Sequence, residues 1–138
     1  MKEEICYGVI PLRKTHIGYE VFLVQHKKGT YWGYPKGHQN PKEAPRDAAL
    51  RELKEETNLE CIKDYDKIFS EDYTFTRDNQ AIHKIVFYFL MECAGEIQIQ
   101  KEEIADAKWA TFEEAKKIFV FKGALSVLKQ VAQFLSIR

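Results

Sequence analysis

The chain has only three cysteines, Cys6, Cys61 and Cys93, and no two of them form a Cys-x-x-Cys pair. An odd, widely spaced set of thiols argues against a disulfide framework or a zinc ribbon and fits free thiols in a reducing cytosol. An excess of charge of either sign is also lacking, since 21 basic residues meet 21 acidic ones. No bulk field draws such a chain to nucleic acid or to a membrane surface, so any attraction to an anionic substrate has to be local. No segment reaches ~18 uninterrupted apolar residues, and the start MKEEICYGV lacks the apolar core of a signal peptide. A cytoplasmic protein with no membrane partner is expected. Repeats, low-complexity tracts and long linkers are missing too. What remains is 138 residues, 45% apolar and 30% charged, which is the profile of one globular domain over residues 1–138.

Periodicity and turn chemistry order the elements. Ile5 to Arg13 and Tyr19 to His26 read as strands joined by a turn near His16 to Gly18. Gly29 to Gly37 reads as a loop rich in glycine and aromatics. A helix is expected to start near Pro45, a residue suited to the first helical position, and to end at Asn58 in a left-handed cap. Lys67 to Thr76 and Ala81 to Cys93 read as strands around the turn Arg77-Asp78-Asn79-Gln80, with Ile97 to Ile99 and Ala107 to Ala110 as shorter candidates. Thr111 and Glu114 form a capping box for a short helix. A last helix runs from about Phe121 to Leu135, with Leu125, Leu128, Val131 and Leu135 at core spacing. Strands, helix, strands, helices describe an α/β fold in which helices pack on a mixed sheet.

The most informative stretch is GHQNPKEAPRDAALRELKEETNL, residues 37–59. On a helix, Glu52, Glu55 and Glu56 fall within a ~100° arc. Like charges at that spacing destabilise a bare helix, and a cluster of carboxylate oxygens suits a hard divalent cation. Leu50, Leu53 and Thr57 lie on the opposite arc and can be buried, while Ala48 and Ala49 leave room beside the acids for a ligand. Three solvated surface glutamates would be the ordinary reading of such a run taken alone.

The spacing of Gly37, Glu43 and Arg51-Glu52-Leu53-Lys54-Glu55-Glu56-Thr57-Asn58-Leu59 closely resembles the Nudix hydrolase signature, in which a glycine, a glutamate and an Arg-Glu-x-x-Glu-Glu core recur. One defined position departs: Asn58 stands where the family has a glycine. Asn tolerates the backbone a helix end needs, so the loop should survive. The resemblance implies the Nudix fold, a mixed sheet sandwiched between helices. It also implies hydrolysis of a nucleoside diphosphate linked to another group, with Mg2+ or Mn2+. Glu52, Glu55, Glu56 and the carbonyl of Gly37 are the implied metal ligands. Arg51 is placed to hold Glu55 four residues on, and Glu43 to orient Arg51. The general base is left between Glu55 and a later-loop glutamate. In this chain Glu103, six residues before Trp109, matches that position, and its neighbour Glu102 is the alternative.

Trp32-x-Tyr34-Pro35-Lys36-Gly37-His38 is similar to a segment of the asymmetrical diadenosine tetraphosphate hydrolases within that family. It implies phosphate contacts from Lys36 and His38, with Trp32 structural. Lys84 and Tyr88 match a phosphate-binding Lys-x-x-x-Tyr pairing, and their even offset puts both on one face of a strand. Tyr73 is a candidate to stack on a base. Aromatics in alternating strands are more often core, and Phe87 and Phe89 are assigned wholly there. Phe121 matches a place where relatives sometimes add a second stacking aromatic. The expected substrate is a dinucleoside polyphosphate, diadenosine tetraphosphate first, cut to ATP and AMP by a monomer or weak dimer. Nucleic acid is not an expected partner apart from RNA 5′ ends. An RNA 5′-pyrophosphohydrolase, a nucleoside triphosphate pyrophosphatase and a non-catalytic nucleotide sensor are the alternatives. The intact acids argue against the sensor.

Overall fold

The computed structural model describes residues 1–137. Its centre is a mixed sheet built on two long strands, β1 (Lys2–Thr15) and β6 (Gln80–Ala94), paired in parallel from Lys2↔Ile82 to Leu12↔Glu92. Strand β5 (Glu60–Arg77) runs antiparallel along β6 and forms one edge. On the other side of β1 the partners change along its length. Strand β2 (Gly18–His26) pairs with its C-terminal half, while the short β4 (Lys36–His38) pairs with Cys6, Tyr7 and Gly8. Strand β3 (Trp32–Gly33) and strand β7 (Ile104–Thr111) complete the β2 side.

Alternation along the strands makes two apolar faces. Val9, Phe22, Val24, Phe89 and Met91 face α1 (Pro45–Thr57), packing on Ala49 and Leu53. Ile10, Leu12, Leu23, Val86, Tyr88 and Leu90 face α2 (Phe112–Ile118) and α3 (Lys122–Leu135). Burying such side chains contributes about 1.5–3 kcal/mol each and fixes strand register, because a one-residue slip would turn every one of them to the wrong face. Among the described residues, no helix is long and apolar enough to cross a membrane.

Helix α1 has the expected bounds. Pro45 opens it and Asn58 closes it in the left-handed region, φ 68° and ψ 7°, with its N–H bonded to the Lys54 carbonyl. Asn58 also donates from its side chain to the Glu96 carbonyl at 2.9 Å, a tie that glycine could not make. The Thr111–Glu114 capping box is present, donors satisfied in both directions.

Four expectations are corrected. Ile97 to Ile99 is not a strand: the segment runs beside the end of α1, where Gln98 and Gln100 donate to the free carbonyls of Thr57 and Glu56. The Gly29 to Gly37 loop contains β3 and the first residues of β4. Strand β5 starts at Glu60, not Lys67, with an irregular stretch between Asp64 and Ile68. Ala48 and Ala49 leave no room for a ligand. Both are fully buried, and their small side chains let α1 approach the sheet.

Candidate functional site

Helix α1 and β4 meet at the acids. Arg51 is the hub that arranges them, its guanidinium spread over four groups. It binds Glu43 through two nitrogens at 2.8 and 3.1 Å, Glu52 at 3.0 Å, both oxygens of Glu55 at 3.2 and 3.3 Å, and the His38 carbonyl at 2.8 Å. The bond to Glu43, foremost among these contacts, raises the guanidinium pKa well above its ordinary value. In return it holds the Glu43 carboxyl below the usual range.

The acidic face is not evenly exposed. Glu55 is open to solvent, Glu52 is largely covered, and Glu56 is only 4% exposed. Burial, reinforced by the charge of Glu52, pushes the Glu56 carboxyl up to about 8. Glu52 is raised by burial too, against the pull of Arg51. Glu103, on the turn before β7, contributes to raising both, so its charge is felt at the cluster. Glu102 instead meets the Gln100 side chain at 3.3 Å. Gly37 lies against Glu52, and a Cβ there would fall inside the Glu52 carboxyl group. Among the described residues, no three such acids, with or without histidine or cysteine, already converge on one point. The donor set nevertheless fits a hard cation: buried, mutually repelling carboxylates are made stable as anions by a divalent ion among them.

Strand β4 connects these acids to a second cluster. The Lys36 backbone N–H donates to Glu56 Oε1 at 3.3 Å. The Lys36 side chain is partly buried, and its ammonium feels the charges of Tyr73, Cys6, Tyr31 and Glu56. Burial pulls its pKa down, but these neighbours outweigh that and hold it raised. Lys84 and Tyr73 are direct partners across β6 and β5. Tyr73 is 38% exposed, with its ring 6.0 Å from Phe75, and Lys84 Nζ lies 5.4 Å over Phe75. Tyr31 is packed edge-on to Phe121 at 5.4 Å. Lys36, Lys84, Tyr73 and Tyr31 therefore make one cationic, aromatic cleft. His38 is mostly exposed at its rim, 3.6 Å from Glu4.

Tyr88 requires a correction. It shares the Lys84 face as expected, but its ring is 2% exposed, packed edge-on to Tyr34 at 5.1 Å in the core beneath the cleft. A phenol so buried reaches no ligand in this arrangement. Phe87, expected in the core, is only partly buried and stacks on Tyr7 at 5.9 Å.

Three further residues line the cleft. Tyr31 lies in the aromatic loop before β3. Glu71 sits two residues from Tyr73 on the same face, its Oε2 buried without a hydrogen-bond partner and its pKa raised by burial. Strand parity with Tyr73 was the available signal. His26 packs against Tyr31 with its ring tilted, centroids 5.1 Å apart, and burial, with the charges of Lys36 and Lys84, holds its imidazole near 4, so it is neutral. A recess of about 240 Å³ lined by Thr15, Tyr19, Phe112 and Ile137 lies elsewhere and includes none of the carboxylates of the α1 cluster.

A helix that offers clustered carboxylates, an arginine clamp and an abutting glycine loop defines a class. The NUDIX domain model matches residues 4–131, and the chain belongs to the Nudix hydrolase family. Within it, the chain is 32% identical over 121 residues to the mouse (Mus musculus) bis(5′-nucleosyl)-tetraphosphatase [asymmetrical], covering 84% of this chain and 80% of that protein. The mutator protein MutT4 of Mycobacterium tuberculosis is 28% identical over 110 residues, but the chain spans only 43% of its length. The crystal structure of a Caenorhabditis elegans Ap4A hydrolase binary complex superposes with a TM-score of 0.73 at 25% identity. That match covers 96% of this chain and 97% of that one.

Proposed function

We propose that this protein hydrolyses dinucleoside polyphosphates, diadenosine tetraphosphate above all, to ATP and AMP with Mg2+ or Mn2+. The observation that carries the reading is the position of β4. Gly37 lies against Glu52, the Lys36 N–H binds Glu56, and the Lys36 ammonium lies in the cleft with Tyr73 and Tyr31. One three-residue strand thus joins a metal-suited acid cluster to a phosphate-suited cation.

Glu52, Glu55, Glu56 and the Gly37 carbonyl would hold the ions, and a divalent cation bound there supplies charge neutralisation and a lowered water pKa. Arg51 sets the directions of Glu52 and Glu55. Lys36 and Lys84 bind phosphate oxygens, His38 meets them at the rim, and Tyr73 with Tyr31 and Phe121 offers flat surfaces to a base. For the general base, Glu103 is favoured over Glu55. Arg51 takes both Glu55 oxygens, whereas the Glu103 carboxylate accepts no hydrogen bond among the described residues. An unencumbered carboxylate is the better proton acceptor.

The test compares initial rates with Mg2+ on diadenosine tetraphosphate, 5′-triphosphorylated RNA and single nucleoside triphosphates. We expect the dinucleotide to be preferred by about tenfold or more, the scale of a ~1.4 kcal/mol difference in transition-state binding. A tenfold preference for RNA would overturn the substrate assignment; the balanced net charge, which offers little to a nucleic-acid chain, argues against that outcome.

A further inference from the structure

Glu4 is an acid where a phosphate site should have none. The sheet register lays Glu4, Lys84 and Tyr73 in one row across β1, β6 and β5. The Glu4 side chain is 11% exposed, and two cations and an imidazole converge on it. Arg77 binds it through Nη1 at 2.6 Å and Nη2 at 3.3 Å, His38 Nε2 lies at 3.6 Å and Lys84 Nζ at 4.0 Å. Phe75 underlies two of the same cations, with Lys84 Nζ at 5.4 Å and Arg77 Cζ at 5.2 Å from its ring.

Lys84 has reasons to lose its proton. It is nearly covered, and Lys36 from β4 and Arg77 from β5 both face it with like charge. Burial, then Lys36, pulls its pKa below the ordinary lysine value, while Cys6 and Glu4 from β1 pull the other way. Tyr73 and Phe75 from β5 complete its surroundings, and His26 from β2, neutral, feels its charge. A lysine that has lost its proton is a poor phosphate ligand. Glu4 itself is held below the usual carboxylate range, first by the Arg77 hydrogen bond, so it is an anion wherever phosphate binds.

We propose that Glu4 is a positioning residue for the polyphosphate: it keeps Lys84 cationic against Lys36 and Arg77 and draws Lys84 and His38 to one side of the cleft. The inference rests on the dinucleoside polyphosphate reading. Arg77 serves as the counter-ion that keeps Glu4 from acting as a free anion in the phosphate path, and the parallel register between β1 and β6 is what sets Glu4 beside Lys84.

The experiment is steady-state kinetics on diadenosine tetraphosphate with Mg2+ across pH, for wild type, Glu4→Gln, Glu4→Asp and Arg77→Gln. Glu4→Gln should raise KM about tenfold and leave kcat within about twofold, because the loss falls on a binding cation. The alkaline limb of kcat/KM should move to lower pH by about one unit as Lys84 loses its supporting anion. Arg77→Gln should move that limb the other way, since it removes a cation facing Lys84. Glu4→Asp should recover part of the KM and stands in if the Gln variant fails to fold. An unchanged KM and limb in Glu4→Gln, or limbs that move in the same direction in both variants, would overturn the proposal. Inactivity of the wild type on dinucleoside polyphosphates would overturn the substrate reading instead. Calorimetric affinity for ATP across pH would then be expected to show the same opposite movements of the two variants, and their absence would overturn the role of Glu4.

Discussion

Glu56→Gln is expected to abolish metal-dependent turnover, by ~10³-fold or more, and at the same time to stabilise the metal-free protein at alkaline pH. Both effects come from one geometry. Glu56 is 4% exposed, with Glu52 close by and the Lys36 N–H on its Oε1. Its carboxyl titrates near 8 in the fold, against an ordinary value of 4.5. A group whose folded pKa is raised favours the native state while it is protonated there. That contribution is full below about 4.5 and is lost as pH rises through about 8. Without divalent cations, the wild type should therefore lose stability across that window. Gln keeps the shape and the acceptor for Lys36 but carries no charge, so the variant should lack this slope and exceed the wild type at pH 9 by about 2–4 kcal/mol. Adding Mg2+ should raise the wild-type Tm and leave the variant unmoved. Thermal unfolding at several pH values, with and without Mg2+, reads all three outcomes. Turnover that survives in the Gln variant at saturating metal would remove Glu56 from the ligand set.

Arg51→Met is expected to have the second-largest effect, this time on both stability and rate. The guanidinium is three-quarters covered and serves Glu43, Glu52, Glu55 and the His38 carbonyl together. Removing it leaves Glu43, Glu52 and Glu55 without a shared counter-ion and should lower stability at neutral pH, less once the acids are protonated. Activity should fall about a hundredfold, because Glu52 and Glu55 lose the group that sets their directions. Arg51→Lys is the informative companion. A lysine restores charge but not the fork, so it should recover part of the stability and little of the rate. Urea unfolding and kcat/KM on the same preparations decide it; full recovery by Lys would mean that a point charge is all the site requires.

What could be read from the sequence was local. Pro45, Asn58 and the Thr111–Glu114 pair fix helix ends through backbone chemistry that needs no distant partner, and all three sit where expected. The three acids share a helix face for the same reason. What escaped depends on distant contacts. The contact that covers Glu56 comes from Lys36 on β4, about twenty residues away in sequence. Ala48 and Ala49 looked like open space beside the acids, but small residues also mark where a helix approaches a sheet closely. Tyr88 kept its predicted face, yet a shared face spans both cleft and core, and Tyr34 with Phe119 covers it on the core side. The first half of β5 was missed because its exposed, charged residues show no apolar alternation. Glu4 lies 80 positions from Lys84, and only parallel pairing makes them neighbours.

If the α1 acids and the β4 cleft act together on the polyphosphate chain of a dinucleotide, the products of diadenosine tetraphosphate incubated with the wild-type protein and Mg2+, resolved chromatographically at early times, reveal it. ATP and AMP are expected in equal amounts, formed only with the divalent ion present. Two ADP, or the same products at the same rate in excess chelator, would contradict it.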